Sequence, residues 1–255
     1  MHFPKVLIVT MMKNSERWLP LYFKNLQSLS YPKKRMRLIV EMGPSQDRTL
    51  EMLKEFKDRG IMDLEVYGDP VDDWLSRGGI YAAGAIWRDF QKAVSRNDHY
   101  VFFFDVDLVQ IPKDLIQRLM EIGADVAAPY VWSEGHRHYF DNYIYRIENK
   151  RFHPLNPPGM GLDYPIYVDS VGTCFLATKD AWTKPEITNP EPYFSWSRNA
   201  RAMGFSIVAC PFIEIFHVDL EKLGVLHYPP PREWSNHGNG WIDSSYPVRR
   251  FKKNE

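Results

Sequence analysis

Cysteine is scarce in this sequence: only Cys174 and Cys210 occur among 255 residues, and both stand in apolar surroundings. A disulfide framework needs more cysteines, so we expect two buried thiols and a fold stabilised by an ordinary apolar core. An excess of charge is also missing, because 32 basic residues balance 32 acidic ones. This balance excludes a global field that would attract nucleic acid or an anionic membrane.

Long hydrophobic runs are missing too. No stretch approaches the roughly 20 apolar residues that span a bilayer, and no cleavage-site pattern follows the first residues. We therefore expect no transmembrane segment, no signal peptide and a cytoplasmic location. The basic end, "VRRFKKNE", could touch the inner face of an anionic membrane, but a solvated tail is the simpler interpretation.

The first half of the chain alternates strand patterns with helix patterns. Buried strands are predicted at 5–10, 36–43, 62–68, 100–104 and 125–132, and helices at 15–29 (after a Ser or Asn cap), 44–60, 78–94 and 112–123. Such alternation is typical of right-handed βαβ crossovers. The fold class is therefore α/β, with a mostly parallel, doubly wound, Rossmann-like sheet and helices on both faces.

The second half has a different composition. Residues 132–165 are rich in aromatic residues, Pro and Gly, with a hairpin predicted to turn at 148–150. A strand and a helix follow within 167–182, another helix ends at Gly204, and residues 205–218 are predicted to form a pair of strands. We divide the chain into one domain over 1–225 and a C-terminal extension over 226–255.

Two aspartates follow the strand in "HYVFFFDVDLVQIP". Ligands of doubly wound sheets bind at the carboxyl ends of strands, where Asp105 and Asp107 fall. Side chains at i and i+2 of an extended segment point the same way, so two converging carboxylates would favour a divalent metal. From the motif alone, two turn aspartates that cap the following helix remain an alternative.

The order of these features resembles the A-type (GT-A) glycosyltransferase fold, whose nucleotide-sugar-binding half ends in an Asp-x-Asp (DxD) motif. Within that fold, "FFFDVDLVQIPKDLIQRLMEIGADVAAPYVW" and "VDSVGTCFLATKDAW" look most like the mannan-polymerase-type mannosyltransferases. A looser likeness to the large inverting family covers Ser45, Asp47 and Thr49. The resemblance spans roughly residues 5 to 218 and implies that about 1–130 bind the sugar donor and 131–225 the acceptor.

The resemblance also implies the metal chemistry. Mg²⁺ or Mn²⁺ would neutralise the charge that develops on a leaving diphosphate. Asp107 would ligate the metal, and Asp105 would reach the ribose or, through water, the metal. His217, after the last core strand in "IEIFHVD", would complete the site, although a lone strand-end histidine can also be structural.

Further contacts to the sugar donor follow from the same likeness. The nucleotide would touch the backbone of Thr10 and Met11 at the end of the first strand. Glu41 occupies the place where many relatives have a base- or ribose-binding aspartate, so the identity of the base, GDP or UDP, stays open. Arg77, before the Ala-rich helix, would pair with phosphate; an ordinary surface arginine is the alternative.

The sequence offers two candidates for the catalytic base of an inverting reaction. Relatives place an acid where this chain has Pro192 and Tyr193, so Glu191 is the first candidate and Asp169 the second. A retaining enzyme would need no such base, and Asp169 could orient the acceptor instead.

The sequence as a whole predicts a metal-dependent glycosyltransferase that joins a nucleoside-diphosphate sugar to a hydroxyl acceptor, with GDP-mannose as the weakly favoured donor. One alternative is a nucleotidyltransferase, although "VTMMKNSER" lacks the glycine-rich loop that it would need. Another is a non-catalytic sugar-nucleotide or carbohydrate-binding homologue. Smaller hypotheses are a second metal site at His136 and His138, and sugar stacking by the tryptophans at 132, 196, 234 and 241.

Overall fold

The computed structural model describes residues 3–68, 79–134, 146–147, 150–153, 162–187, 192–218, 241–243 and 250–253. Its strands are β1 Val6–Met12, β2 Met36–Met42, β3 Asp63–Tyr67, β4 Tyr100–Phe104, β5 Leu108–Gln110, β6 Val126–Ser133, β7 Arg146–Ile147, β8 Lys150–His153, β9 Ile166–Tyr167, β10 Cys174–Thr178, β11 Ile207–His217 and β12 Trp241–Asp243. Its helices are α1 Leu19–Ser28, α2 Thr49–Asp58, α3 Gly79–Ala93, α4 Leu115–Ile122, α5 Lys179–Thr183 and α6 Pro192–Ala202, with a 3₁₀ turn at Lys33–Arg35.

Within the described residues, the main sheet has nine strands. Eight follow the order β3-β2-β1-β4-β10-β6-β11-β5, and the ninth, β9, pairs with β11. Strands β1 to β4 are mutually parallel, as the alternation of strands and helices predicts. The second half of the sheet is mixed, because β10 lies antiparallel between β4 and β6. The predicted α/β class is confirmed. The predicted parallel arrangement holds for β1 to β4, whereas the rest of the sheet is mixed.

Helices cover both faces of the sheet, and the strand residues alternate between two apolar layers. In β4, Phe102 and Phe104 pack with α1, α2 and α4, whereas Val101 and Phe103 pack with α3, α5 and α6. Both side-chain sets are fully buried. A strand buried on both faces therefore appears in the sequence as the continuous apolar run "YVFFF".

Two local predictions are wrong. The pair of strands predicted within 205–218 is a single long strand, β11. Its pairing register with β6 shifts between Cys210 and Glu214, because a bulge bends the strand without ending it. The predicted Ser or Asn cap of the first helix is also wrong, because α1 begins at Leu19 and Trp18 is its cap residue, without a side-chain hydrogen bond. Before the helix, a turn forms in which the N–H groups of Trp18 and Leu19 donate to the Ser15 carbonyl.

Other local predictions are confirmed. Strands β7 and β8 pair antiparallel, as expected for a hairpin, and Cys174 and Cys210 are buried free thiols. Parts of the C-terminal extension contact the main domain: β12 pairs with β8, and Arg250 bridges to Ile166. Among the residues that the structure describes, no helix is long and apolar enough to cross a membrane.

Candidate active site

The carboxyl ends of β1, β2 and β4 meet at one edge of the sheet, together with the ends of β6 and β11. We call this the carboxyl edge. It contains most of the site residues that the sequence predicts, because parallel strands deliver the residues that follow them to the same side.

Asp105 and Asp107 lie in the turn that joins β4 to β5. The extended geometry from which their convergence was predicted is therefore wrong, since residues 106–107 are turn residues. The turn is fixed from several sides: the N–H of Asp105 donates to the Thr173 carbonyl at 3.1 Å, and the side-chain amide of Asn25 donates to the Leu108 carbonyl at 2.7 Å. Neither aspartate is the cap of α4, because Asp114 holds that position.

His217 is the residue that meets Asp107. Its Nε2 lies 3.0 Å from Asp107 Oδ1, while its Nδ1 lies 2.9 Å from the carbonyl oxygen of Val218. The contact arises because β5 pairs antiparallel with the end of β11, placing His217 opposite Leu108. The imidazole is nearly buried, with 4% of its side chain exposed, and Asp107 is 25% exposed.

This pair fits a divalent cation. A neutral imidazole that donates Nδ1–H to the Val218 carbonyl presents the Nε2 lone pair to a carboxylate oxygen, and two acceptors at this distance need a proton or a metal between them. Neighbouring ligands of an octahedral ion with bonds of about 2.1 Å lie about 3.0 Å apart. A protonated imidazole bonded to Asp107 would have the same separation.

The protein supplies only part of such a shell. Among the described residues, no group of three or more His, Cys, Asp or Glu side chains is placed to hold a metal ion. A metal that shares its shell with a diphosphate needs only one or two protein carboxylates, because phosphate oxygens and water complete it. The residues that would hold the ion are Asp107 and His217, with Asp105 beside them in the same turn.

The side chain of Thr10 links β1 to the end of β4, directly before the turn that contains Asp105 and Asp107. Its hydroxyl donates to the Phe104 carbonyl at 2.7 Å and lies 2.6 Å from the hydroxyl of Tyr22, which therefore donates to it. Burial and the nearby charge of Asp105 raise the pKa of Tyr22. The Thr10 side chain thus has a structural role, and only the backbone of Thr10 and Met11 remains for the predicted nucleotide contact.

Ser45, Asp47 and Thr49 hold the loop that follows β1. Three consecutive N–H groups, those of residues 14 to 16, donate in turn to Ser45 Oγ at 3.0 Å, Thr49 Oγ1 at 2.7 Å and Asp47 Oδ2 at 3.0 Å. We call this arrangement the loop clamp.

The loop clamp is reciprocal. The Asn14 side chain accepts from the N–H of Gln46, and Glu16 accepts from that of Arg48. Although partial burial raises the pKa of Asp47, hydrogen bonds from Thr49 and from the Glu16 backbone lower it below its usual value. Sequence reasoning identified the three residues of the motif but missed their partners, for which the polar run "KNSE" after β1 is the signal.

Glu41 lies at the end of β2, beside Met11 of β1 and Tyr67 of β3. Burial and, to a smaller extent, the charge of Asp89 raise the pKa of Glu41 to about 7. The structure therefore places a carboxyl group that is half protonated near neutral pH next to the backbone predicted to contact the nucleotide.

Of the two candidates for a catalytic base, the structure describes Asp169 and not Glu191. Asp169 forms an ion pair with Arg201, and the preceding Val168 pairs with Ile207, the first residue of the strand that ends at His217. Glu191 directly precedes α6 in the sequence and lies outside the described residues. Arg77, His136, His138 and Trp234 also lie outside them, as does the side chain of Trp241.

Two predicted sugar-stacking residues are core residues. Trp196 is fully buried and Trp132 is 2% exposed. Trp196 packs against Phe175 with ring centroids 5.3 Å apart, inside a cluster that also contains Trp87 and Trp182. A stacking role is therefore wrong for both, because neither ring has a free face.

Comparisons with known proteins agree with this fold. The model of the glycosyltransferase family 25 N-terminal domain matches residues 3–67. A glycosyltransferase 25 family member from Anopheles gambiae is 26% identical over 157 residues, which cover 52% of this chain and 24% of the relative. The mannan polymerase II complex ANP1 subunit of Saccharomyces cerevisiae is 25% identical over 150 residues, or 50% of this chain and 30% of the relative.

A third relative has a name that describes it as inactive. The human protein named inactive glycosyltransferase 25 family member 3 is 24% identical over 234 residues, which cover 76% of this chain and 35% of the relative. The chain thus spans roughly a quarter to a third of the length of these relatives. The family 25 likeness was not foreseen from the motifs, whereas the mannan-polymerase likeness recurs as one distant relative.

Solved structures show the same architecture. GalNAc-T7 with UDP, GalNAc and Mn²⁺ superimposes with a TM-score of 0.59 at 13% identity, over 89% of this chain and 45% of that protein. The mannosyltransferase PcManGT from Pyrobaculum calidifontis, in complex with GDP-Man and Mn²⁺, gives 0.55 at 11% identity, over 85% and 57% respectively. At these identities the likeness establishes the fold, which is GT-A.

Proposed function

We propose that this chain is a metal-dependent glycosyltransferase that moves a sugar from a nucleoside-diphosphate sugar to a hydroxyl acceptor. The observation that supports it most is the contact between Asp107 and His217, which joins residues far apart in sequence at the carboxyl edge of a GT-A sheet. A chance Asp-x-Asp sequence gives no reason for such a contact. The solved structure of GalNAc-T7 contains UDP with Mn²⁺, and that of PcManGT contains GDP-Man with Mn²⁺; we propose the same classes of ligand for this chain.

Each residue at the carboxyl edge then has a role. A bound Mg²⁺ or Mn²⁺ would neutralise the charge that develops on the leaving diphosphate. Asp107 and His217 would hold that ion, and the Val218 carbonyl fixes the tautomer of the imidazole. Asp105 would contact the ribose, and the backbone of Thr10 and Met11, which precedes the loop clamp, would contact the nucleotide. Glu41 would lie beside its base or ribose.

The acceptor hydroxyl must lose a proton during transfer. We propose Glu191 as the general base and Asp169 as the second candidate, which would first have to leave its ion pair with Arg201. Glu191→Gln and Asp169→Asn should be assayed with an identified donor, and the anomer of the product determined by NMR. Retention of configuration would remove the need for either base.

The loop clamp argues against the nucleotidyltransferase alternative. A phosphate-binding loop after β1 would present free N–H groups to the ligand, but the N–H groups of residues 14 to 16 already donate to side chains. The name of the human relative keeps a second candidate open, which is a homologue that binds a sugar nucleotide without turnover.

Calorimetric titration with GDP and UDP tests the proposal. We expect binding in the presence of Mn²⁺ or Mg²⁺ and none with a chelator, because uncompensated carboxylates repel a diphosphate. Equal affinity for the nucleotide with and without chelator would show that the metal does not take part in binding. A screen of nucleotide sugars for slow metal-dependent hydrolysis then separates an enzyme from a binding protein, since hydrolysis needs no acceptor.

A further inference from the structure

The opposite edge of the sheet, where β1 and β2 begin, contains a cleft of about 420 Å³. We call it the amino-edge cleft. Its walls come from the start of β1, the 3₁₀ turn before β2, the loop after α2 and the loop before β4. Five cationic side chains line it: Lys5, Lys33, Lys34, Arg35 and Arg37. Two carboxylates, Asp63 and Asp98, also line it, so the lining has a surplus of three positive charges.

Among the described residues, Arg37 is the cleft cation that forms ion pairs with carboxylates. Arg37 donates to Asp98 at 2.6 Å and to the Ala93 carbonyl at 2.6 Å, and it also contacts Glu65 at 3.4 Å. Asp98 is almost completely buried, so this ion pair is a fixed part of the structure.

The remaining cations lack such partners. Within the described part of the chain, Lys5, Lys34 and Arg35 form no ion pair, and Lys33 donates only to the Leu29 carbonyl at 2.5 Å. Burial lowers the pKa of Lys33, because partial removal from water disfavours the charged form. The protein thus concentrates unneutralised positive charge in a concave surface, although its net charge is zero.

The chemistry of the cleft matches one class of ligand. Phosphate groups accept charge-assisted hydrogen bonds from lysine and from the planar arginine fork, and a concave site concentrates the field of several cations on one anion. A cleft of this volume is larger than a single phosphate needs and lies within the usual range of small-ligand sites. Three unpaired cations suit a ligand with two or more phosphates.

We propose that the amino-edge cleft binds a ligand that carries two or more phosphate groups, either a soluble polyphosphate ester or the headgroup of an anionic phospholipid. The site lies at the edge of the sheet away from the Asp107–His217 pair, so the proposal does not depend on the proposed transfer reaction. Lys5, Lys34 and Arg35 contact the phosphates, and the Arg37–Asp98 pair supports the wall behind them.

Inorganic pyrophosphate is the probe, titrated calorimetrically into the full chain with EDTA present to silence the carboxyl edge. We expect binding that weakens as salt rises. The double variant Lys34→Gln/Arg35→Gln should bind at least about tenfold more weakly. The control Lys24→Gln/Lys54→Gln, which removes the same charge from the exposed surfaces of α1 and α2, should stay within about twofold. In EDTA, the Asp107→Ala variant should bind pyrophosphate like the parent, because Asp107 lies at the opposite edge of the sheet from the cleft.

A flotation assay separates the two sources of phosphate. Vesicles of phosphatidylcholine that contain a phosphatidylinositol bisphosphate should retain the protein, and neutral vesicles should not, if the ligand is a lipid headgroup. Pyrophosphate binding alone indicates a soluble ligand. If a thermal melt shows that the double variant does not fold, Lys5→Gln on the opposite wall replaces it and should bind about threefold more weakly or worse. The proposal is overturned if the parent binds neither probe, if the variants bind like the control, or if Asp107→Ala abolishes binding in EDTA.

Discussion

Among the described residues, the two edges of the sheet present charged groups of different sign, although the chain as a whole has no net charge. The carboxyl edge presents Glu41, Asp105 and Asp107, whereas the amino edge presents the cationic cleft. Parallel strands make this separation possible, because all residues that follow the strands reach one side and all residues that precede them reach the other. The difference teaches that net charge can conceal two sites of opposite sign on one sheet.

The largest expected effect is confined to the carboxyl edge. Asp107→Ala should weaken metal-dependent binding of GDP or UDP by more than about 100-fold, because it removes a ligand and leaves His217 without its partner. Calorimetry in Mn²⁺ measures it. Asp114→Ala, an exposed aspartate at the start of α4 without a side-chain cap bond, is the control and should bind normally. Parental affinity in Asp107→Ala would remove the aspartate from the site.

Removing the imidazole should have the next largest effect. His217→Ala should lower the affinity for metal and nucleotide together, by about 10- to 100-fold. The double variant with Asp107→Ala should be little worse than Asp107→Ala alone, since groups that serve one ion are not additive. His99→Ala, an exposed histidine at the amino edge, is the control. A double variant whose losses simply add would mean that the two residues act separately.

The loop clamp should affect stability as well as binding. Asp47→Ala leaves the Glu16 and Thr49 N–H groups without their acceptor, and we expect a loss of about 1–3 kcal/mol in the free energy of unfolding. Urea denaturation measures it, with Asp58→Ala on the exposed end of α2 as the control. Because the pKa of Asp47 is lowered in the folded protein, its contribution is present near neutral pH and is lost at acid pH. Parallel acid profiles for parent and variant would contradict this role.

The smallest effect concerns Glu41 and pH. Its pKa is raised from 4.5 in the unfolded chain to about 7 in the folded one, so the folded state binds the extra proton between these values. Stability should therefore fall as pH rises from about 4.5 to 7 and stay level above that range. Glu41→Gln should flatten this part of the profile, by under about 1 kcal/mol because the group is partly solvated.

The matched comparison is Glu41→Gln against Glu51→Gln, which lies on the exposed face of α2. Denaturant midpoints measured at pH 5 and pH 8 give the difference for each protein. Equal pH dependence in Glu41→Gln and the parent would show that Glu41 does not titrate with folding.

The sequence by itself determined the fold class and the positions of the main strands and helices, and it supplied the candidate site residues. "KVLIVT" and "YVFFF" are apolar on consecutive residues because both faces of their strands are covered, and this local pattern needs no knowledge of distant contacts. Glycine signals also worked locally: α4 ends at Gly123, whose φ is 72°, a conformation that other residues rarely adopt.

Only the tertiary structure decided which of these residues meet. Asp107 contacts His217 through the antiparallel pairing of β5 with β11, which no local pattern specifies. The burial of Trp132 and Trp196, the partners of the loop clamp and the cationic cleft likewise depend on segments brought together from separate parts of the chain. The physical reason is that propensity and periodicity act over one turn or one strand, whereas strand order, register and the packing of helices on the sheet are set by the whole core.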